Sequence, residues 1–90
     1  MAIVVEFNSA GMTATQYDGI IKDLESKGAG SPDGRVSHVA APSSDGWFVV
    51  DVWESQEQFD RFGEVLLPTL LAAGVTVTPE VRPVHNIITG

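Results

Sequence analysis

Four short stretches of this chain are rich in hydrophobic residues and bounded by turn residues, which is typical of β-strands. In the first stretch Ile3, Val5 and Phe7 share one face, while the other face turns polar at Glu6 and Asn8. The loop PSSDG joins the second and third stretches as an antiparallel hairpin. The predicted strands are residues 2–8, 35–41, 47–53 and 80–88.

Two helices are predicted between these strands, and each opens with a capping box. In Thr13-x-x-Gln16 and Ser55-x-x-Gln58 the hydroxyl can accept a hydrogen bond from the backbone N–H three residues later. Apolar residues then follow at helical spacing, with charged residues on the opposite side. In the first helix the apolar positions are Tyr17, Ile20, Ile21 and Leu24. The first helix is expected over residues 13–27.

The end of the second helix is less regular, because Pro68 cannot lie in an undisturbed helix interior. Either the helix ends near Leu66 and Pro68 begins a new turn, or a kink carries the helix on to Gly74. The pattern favours a break or kink in which three leucines still pack inward, namely Leu67, Leu70 and Leu71.

The order of elements is β-α-β-β-α-β, which is the ferredoxin-like arrangement of the α+β class. We expect a four-stranded antiparallel sheet, with the first and third strands central and both helices on one face. Pro83 cannot donate to a strand ladder, so it places the last strand at an edge. Ninety residues allow one domain, residues 1–90, and no second core.

The third strand is apolar on both faces, so it must be covered on both faces. Trp47, Val49 and Trp53 occupy one side and Phe48, Val50 and Val52 the other. Both helices cover the same face of the sheet, so the simplest cover for the opposite face is a second copy of the chain. The sequence therefore predicts a homodimer.

Composition excludes several classes of function. The net charge is −7 with five scattered basic residues, which argues against nucleic acid and against an anionic membrane surface. No segment reaches the ~18 apolar residues of a membrane span, and the N-terminus lacks signal-peptide features. The absence of cysteine excludes disulfides and thiolate sites. A cytoplasmic protein is expected.

The element order and one junction resemble the dimeric α+β-barrel superfamily, and within it the antibiotic-biosynthesis-monooxygenase-type domains. The junction is the strand ending Val52-Trp53-Glu54-Ser55, followed by Gln58-Phe59-x-x-Phe62. The resemblance implies a homodimer whose sheets close into an α+β barrel around a ligand cavity. Members include cofactor-free oxygenases, isomerases, decarboxylases and haem-degrading enzymes.

The haem-degrading branch is not a match at the residues that would hold haem. Asn8 stands where those enzymes have an asparagine, but Phe62 falls about where their tryptophan would be. No histidine lies near residues 71–73, where their axial ligand would be. We therefore predict no haem, no other cofactor and no metal site, since the two histidines are not in metal-ligand spacing.

Asp51 is the residue that fits the fold least, because an unpaired carboxylate on an apolar face is costly. A hairpin register with position sum 89 sets it beside His38, whereas a sum of 88 sets His38 across from Val50. In the first case His38 can act as a base oriented by Asp51. Alternatively Asp51 only accepts hydrogen bonds from a loop or an arginine.

Further site candidates follow if the polar face of the first strand lines the cavity. Asn8 is then a catalytic hydrogen-bond donor to a developing enolate or phenolate, alongside His38 and Asp51. The expected substrate-binding residues are Glu6, Trp47, Trp53, Phe62 and His85. The alternatives are that the aromatic residues are plain core and that His85 is an edge histidine.

The function that these residues favour is a cofactor-independent enzyme of the monooxygenase, cyclase or isomerase type. Its substrate is expected to be a small aromatic or polyketide-like compound. The alternative is a non-catalytic dimeric ligand-binding or accessory domain, whose barrel is filled by its own side chains.

Overall fold

The computed structural model describes residues 1–90 and contains the six predicted elements in the predicted order. The four strands form one antiparallel sheet in the order β2-β3-β1-β4, so the first and third strands are central as expected. The elements are β1 (Ile3–Ala10), α1 (Ala14–Ser26), β2 (Arg35–Pro42), β3 (Gly46–Trp53), α2 (Gln56–Ala72) and β4 (Glu80–Pro83).

Both helices begin at the predicted caps. Thr13 Oγ1 accepts a hydrogen bond from the Gln16 N–H at 3.2 Å, and the Gln16 side chain accepts one from the Thr13 N–H at 3.0 Å. Ser55 accepts from the Gln58 N–H at 3.2 Å and so opens α2. These side chains satisfy backbone donors that have no partner within the helix.

The end of α1 explains one of the chain's glycines. Gly28 has a φ of +76° and stands just after the helix. Its N–H donates to the Glu25 carbonyl at 3.0 Å, and the next N–H, of Ala29, donates to the Leu24 carbonyl at 2.8 Å. This pair of bonds is the Schellman motif, whose left-handed residue is best supplied by glycine.

Of the two alternatives for Pro68, a break of the helix near Leu66 is wrong and continuation of the helix toward Gly74 is confirmed. The helix runs without interruption to Ala72, because Pro68 and the residue one turn before it face solvent, where water can hydrate the unpaired carbonyl. The expectation that three leucines pack inward is wrong for two of them. Leu70 is buried, but Leu67 and Leu71 are 57% and 61% exposed.

The last strand is shorter than expected. It ends at Pro83 rather than continuing to residue 88. The reason is that its partner β1 begins at Ile3, opposite Pro83, so the segment beyond has no strand to pair with. A single further hydrogen bond, from the Val84 N–H to the Ala2 carbonyl at 3.0 Å, closes this edge.

The core lies between the sheet and the two helices. It is one cluster of ten buried hydrophobic residues drawn from both central strands, both helices and the α2–β4 connection. Trp53 is fully buried and packs at 5.5 Å and 5.3 Å from the rings of Phe59 and Phe62. The core cluster is Ile3, Val5, Phe7, Ile20, Leu24, Trp53, Phe59, Phe62, Leu70 and Val75.

The two faces of the sheet are therefore unequal. Side chains of the helix-covered face include Val5, Val49 and Asp51, while the opposite face carries Phe48 and Val50 without a covering layer. Neither α1 nor α2 has the length and apolar character that a membrane-spanning helix needs.

The leucines of α2 provide a test of this packing. Leu70→Ala should lower the free energy of unfolding by about 2–4 kcal/mol, because it opens a cavity in the core. Leu67→Ala, the same change on the exposed side of the same helix, should cost no more than about 0.5–1 kcal/mol. Urea unfolding at one protein concentration measures both, and equal losses would contradict the described burial.

Candidate functional site

The β2–β3 hairpin brings His38 directly opposite Asp51, which is the register with position sum 89. The other predicted register, with position sum 88, occurs only at Arg35, which pairs with Trp53. A β-bulge lies between these positions and leaves Val36 as the extra residue of β2. The bulge turns Arg35 to the same face as His38, whereas regular alternation would put residues 35 and 38 on opposite faces.

Asp51 is buried, and both of its carboxylate oxygens have hydrogen-bond partners. Oδ1 lies 2.6 Å from His38 Nδ1, and Oδ2 accepts a hydrogen bond from Trp53 Nε1 at 3.3 Å. The side chain is 3% exposed, so these partners replace the water that it loses. Both partners come from the same chain, and no arginine is among them.

The second nitrogen of the imidazole is also engaged. His38 Nε2 lies 2.6 Å from the hydroxyl of Tyr17, which α1 presents to the sheet. The neutral ring with its proton on Nδ1 satisfies every partner, since Nδ1–H donates to Asp51 and Nε2 accepts from the Tyr17 O–H. Carboxylate, imidazole and hydroxyl then stand in the order found in catalytic triads.

Tyr17 is the residue that sequence reasoning missed as part of this site. The helical spacing predicts that it belongs to the apolar stripe of the first helix with Ile20, Ile21 and Leu24, and it does lie on that face. The signal that distinguishes it is its polar tip, because a tyrosine hydroxyl turned toward a core usually finds a partner there.

Burial raises the pKa of the Tyr17 hydroxyl above its ordinary value. The Arg35 guanidinium acts against this increase, while the carboxylates of Asp51 and Asp18 add to it. The phenol is therefore protonated at neutral pH, as the hydrogen bond that it donates to His38 requires.

The chain of three side chains opens on a cleft of about 60 Å³ between the sheet and the helices. Eleven of the fifteen lining residues are hydrophobic, and among them Phe62 was predicted from the sequence to contact a substrate. The polar groups at this cleft come from Ser9, Tyr17, Arg35, His38 and Asp51. A mainly apolar cleft with a few convergent polar groups is the usual form of a small-molecule site.

The two tryptophans are close to this site without lining the cleft. Trp53 lies beneath it and donates to Asp51. The Trp47 ring packs 5.4 Å from that of Tyr17, and its buried indole N–H has no hydrogen-bond acceptor. Trp47 therefore contacts Tyr17, and Trp53 contacts Asp51 as well as the rings of Phe59 and Phe62.

Asn8 and Glu6 do not join this group. They lie on the opposite face of the sheet from Asp51, since Asp51 pairs with Val5 and neighbouring residues of a strand alternate in direction. There Asn8 Nδ2 donates to Glu6 Oε2 at 3.3 Å. The expectation that the polar face of the first strand lines the same cavity as Asp51 does not hold within one chain.

His85 is likewise separate from the cleft. It is exposed and follows the end of β4, whereas a strand position had been expected. No group of three or more histidine, aspartate or glutamate side chains is arranged to hold a metal ion.

Comparison with solved structures identifies the fold. SnoaB from Streptomyces nogalater, a cofactor-independent oxygenase, matches with a TM-score of 0.64 and 16% identity over 99% of this chain and 96% of its own. Rv0793 from Mycobacterium tuberculosis matches with a TM-score of 0.64 and 16% identity over 98% of this chain and 97% of its own. A candidate antibiotic biosynthesis monooxygenase from Deinococcus radiodurans matches with a TM-score of 0.61 and 14% identity, over 99% and 97% of the two chains.

These neighbours confirm the resemblance at the level of fold, which is that of the antibiotic-biosynthesis-monooxygenase-like proteins. No protein-family model and no curated protein matches the chain.

Tyr17 is the chain's single tyrosine, so its ionisation can be followed directly by ultraviolet absorbance. Its midpoint should lie above 10.0, the ordinary value for tyrosine, and Arg35→Gln should raise it further by removing a nearby positive charge. Arg61→Gln, which removes an exposed arginine paired with Glu57 on α2, is the matched control and should have no effect.

The same shift predicts how stability depends on pH. The folded state keeps the Tyr17 proton where the unfolded chain has lost it, so this contribution is complete below about pH 10 and is lost as the pH rises through the folded-state pKa. A tyrosine that titrates at or below the ordinary value would contradict the burial described.

Proposed function

We propose that this protein is a cofactor-independent small-molecule enzyme of the monooxygenase, cyclase or isomerase type, acting on an aromatic or polyketide-like substrate. The observation that carries the proposal is the hydrogen-bonded chain Asp51–His38–Tyr17, which ends at an apolar cleft. SnoaB, which shares the fold, is described as a cofactor-independent oxygenase, and this supports the reaction type.

The chemistry assigned to the site is removal of a proton from an activated O–H or C–H group. The imidazole of His38 receives the proton, and the Asp51 carboxylate 2.6 Å away stabilises the imidazolium that forms. Trp53 holds the other carboxylate oxygen and so fixes the direction in which Asp51 accepts. The apolar wall around these groups lowers the local dielectric and strengthens each of these interactions.

Proton removal leaves an enolate or phenolate, which is an electron-rich carbon nucleophile. In an oxygenase this anion reduces dioxygen, the co-substrate, and a new C–O bond forms at its carbon. In a cyclase or isomerase the same anion attacks, or is reprotonated at, another position of the substrate. One catalytic first step therefore serves all three reaction types.

We also propose that the protein works as a homodimer joined through the sheet face that the helices leave bare. Val4, Phe48, Val50 and Val52 lie on that face and are only half-buried, while Val39 is 56% exposed. Burying a contiguous apolar surface of this kind favours association, and two identical faces can pack about a twofold axis. In such a dimer Asn8 and Glu6 would lie between the two sheets.

The catalytic proposal is tested by oxygen consumption and product analysis with 1,4-dihydroxynaphthalene, without added metal or flavin. His38→Gln should lower turnover by about 10²–10⁴-fold, the usual contribution of a general base. Asp51→Asn should also lower it, because the amide cannot stabilise an imidazolium as a carboxylate does. His85→Gln changes the other, exposed histidine and should leave turnover unchanged.

Equal turnover in the wild type and His38→Gln would refute the assignment of His38. If the wild type turns over neither this compound nor a wider panel of phenols and enols, the accessory-domain alternative is favoured.

The dimer is tested by light scattering at micromolar concentration. The wild type should have twice the 9.6 kDa mass of one chain, and Val50→Lys should be monomeric, because it places a charge in the proposed interface. Leu71→Lys introduces the same side chain at an exposed leucine of α2 and should remain dimeric. A monomeric wild type would contradict the proposal.

A further inference from the structure

Arg35 differs from the other arginines in having no carboxylate partner. Arg61 pairs with Glu57 and Arg82 with Glu80, as expected in a chain with twelve acidic and five basic residues. Arg35 instead donates to the Gly30 carbonyl at 2.9 Å and lines the apolar cleft. A guanidinium held by one neutral acceptor still has N–H donors and a full charge to offer to an anion.

Arg35 and Tyr17 line the same cleft. The positive charge of Arg35 lowers the pKa of Tyr17, whereas the carboxylates of Asp51 and Asp18 raise it, so the field of the guanidinium reaches the phenolic oxygen. Arg35 reaches this position only because of the β-bulge at Val36. Asp51, the carboxylate at this cleft, is hydrogen-bonded to His38 and Trp53 and forms no ion pair with Arg35, so the guanidinium can pair with an anionic ligand.

His38 has no free nitrogen for a substrate. Nδ1 is bonded to Asp51 and Nε2 to Tyr17, both at 2.6 Å. The Tyr17 oxygen donates its single proton to His38 and retains lone pairs that can accept a hydrogen bond. A ligand hydroxyl in the cleft can therefore engage this chain through Tyr17 without displacing any existing bond.

We propose that the cleft takes a compound with an acidic hydroxyl, a phenol or an enol, whose oxygen is bound between Tyr17 and Arg35. This inference rests on the proposed function and specifies the substrate class and the residue that touches it. Tyr17 is then the catalytic residue, and His38 and Asp51 act through it.

The proton transfer balances without any change of oxidation state. The substrate O–H bond breaks as a new Tyr17 O–H bond forms, and the original Tyr17 O–H bond breaks as His38 Nε2–H forms. The products are a substrate oxyanion beside Arg35 and an imidazolium beside Asp51. Tyr17 is neutral before and after the transfer, in agreement with a hydroxyl that resists ionisation.

The probe for this inference is 4-nitrophenol, whose anion is coloured and whose neutral form is not. Equilibrium dialysis gives its total binding, and visible absorption gives the ionised fraction of what is bound. Wild-type protein should bind it mainly as nitrophenolate at a pH where most of it is neutral in free solution. Nitrobenzene, which lacks the hydroxyl, should bind at least tenfold more weakly.

Two variants separate the roles of the residues. Arg35→Gln should weaken nitrophenolate binding about tenfold or more and leave nitrobenzene binding unchanged, while Arg35→Lys should restore part of the loss because it keeps the charge. Tyr17→Phe keeps the ring but removes the hydroxyl, and should lower the ionised fraction of bound ligand about tenfold. Arg61→Gln is the control and should match the wild type, and circular dichroism confirms that each variant is folded.

The outcomes distinguish this inference from the proposed function. Nitrophenolate binding that depends on Tyr17 and Arg35 supports the inference even if no compound is turned over. If turnover depends on His38 but nitrophenol binds no better than nitrobenzene, or is insensitive to Tyr17→Phe and Arg35→Gln, the inference is overturned while the proposed function stands.

Discussion

The buried carboxylate of Asp51 is the constraint on which the site depends. An ionised carboxylate removed from water is tolerated only where hydrogen bonds replace its hydration. Trp53 and His38 supply these bonds from two adjacent strands, and each is thereby fixed in orientation. Because His38 is fixed at Nδ1, its other nitrogen points to α1, where Tyr17 meets it. One group that is unfavourable to bury thus organises three side chains from three elements.

This arrangement links stability to function in a specific way. Asp51, Trp53 and the cross-strand partner Val5 occupy the most buried part of the sheet, so the inner end of the hydrogen-bonded chain is rigid. Its outer end at Tyr17 lies at the cleft and is only partly buried. A rigid support under an accessible hydroxyl is the organisation expected of a preorganised site, in which little reorganisation is needed when charge develops.

Sequence reasoning reached the fold because its signals are local. The boxes at Thr13 and Ser55, the turn glycines and the two hydrophobic periods each act within a few residues, and together they specify the order of elements. The pairing of His38 with Asp51 could be named only as one of two registers, since a slip of one residue leaves the local pattern intact. Tyr17 could not be separated from the apolar stripe of its helix, because its partner is twenty-one residues away. Leu67 and Leu71 were predicted to be buried but are exposed, because helical spacing does not determine how wide the buried stripe of a helix is.

The bulge at Val36 has an evolutionary consequence. Deletion of the extra residue would leave Arg35 opposite Trp53 and on the face of His38, whereas a regular strand that kept all its residues would put Val36 opposite Trp53 and turn Arg35 to the other face. A lineage carrying this fold can therefore gain or lose one codon at this point without changing the charge of the cleft or any side chain of the Asp51–His38–Tyr17 chain. Among relatives, the identity of the residue opposite Trp53 would then be a better guide to ligand charge than its distance along the sequence from the histidine.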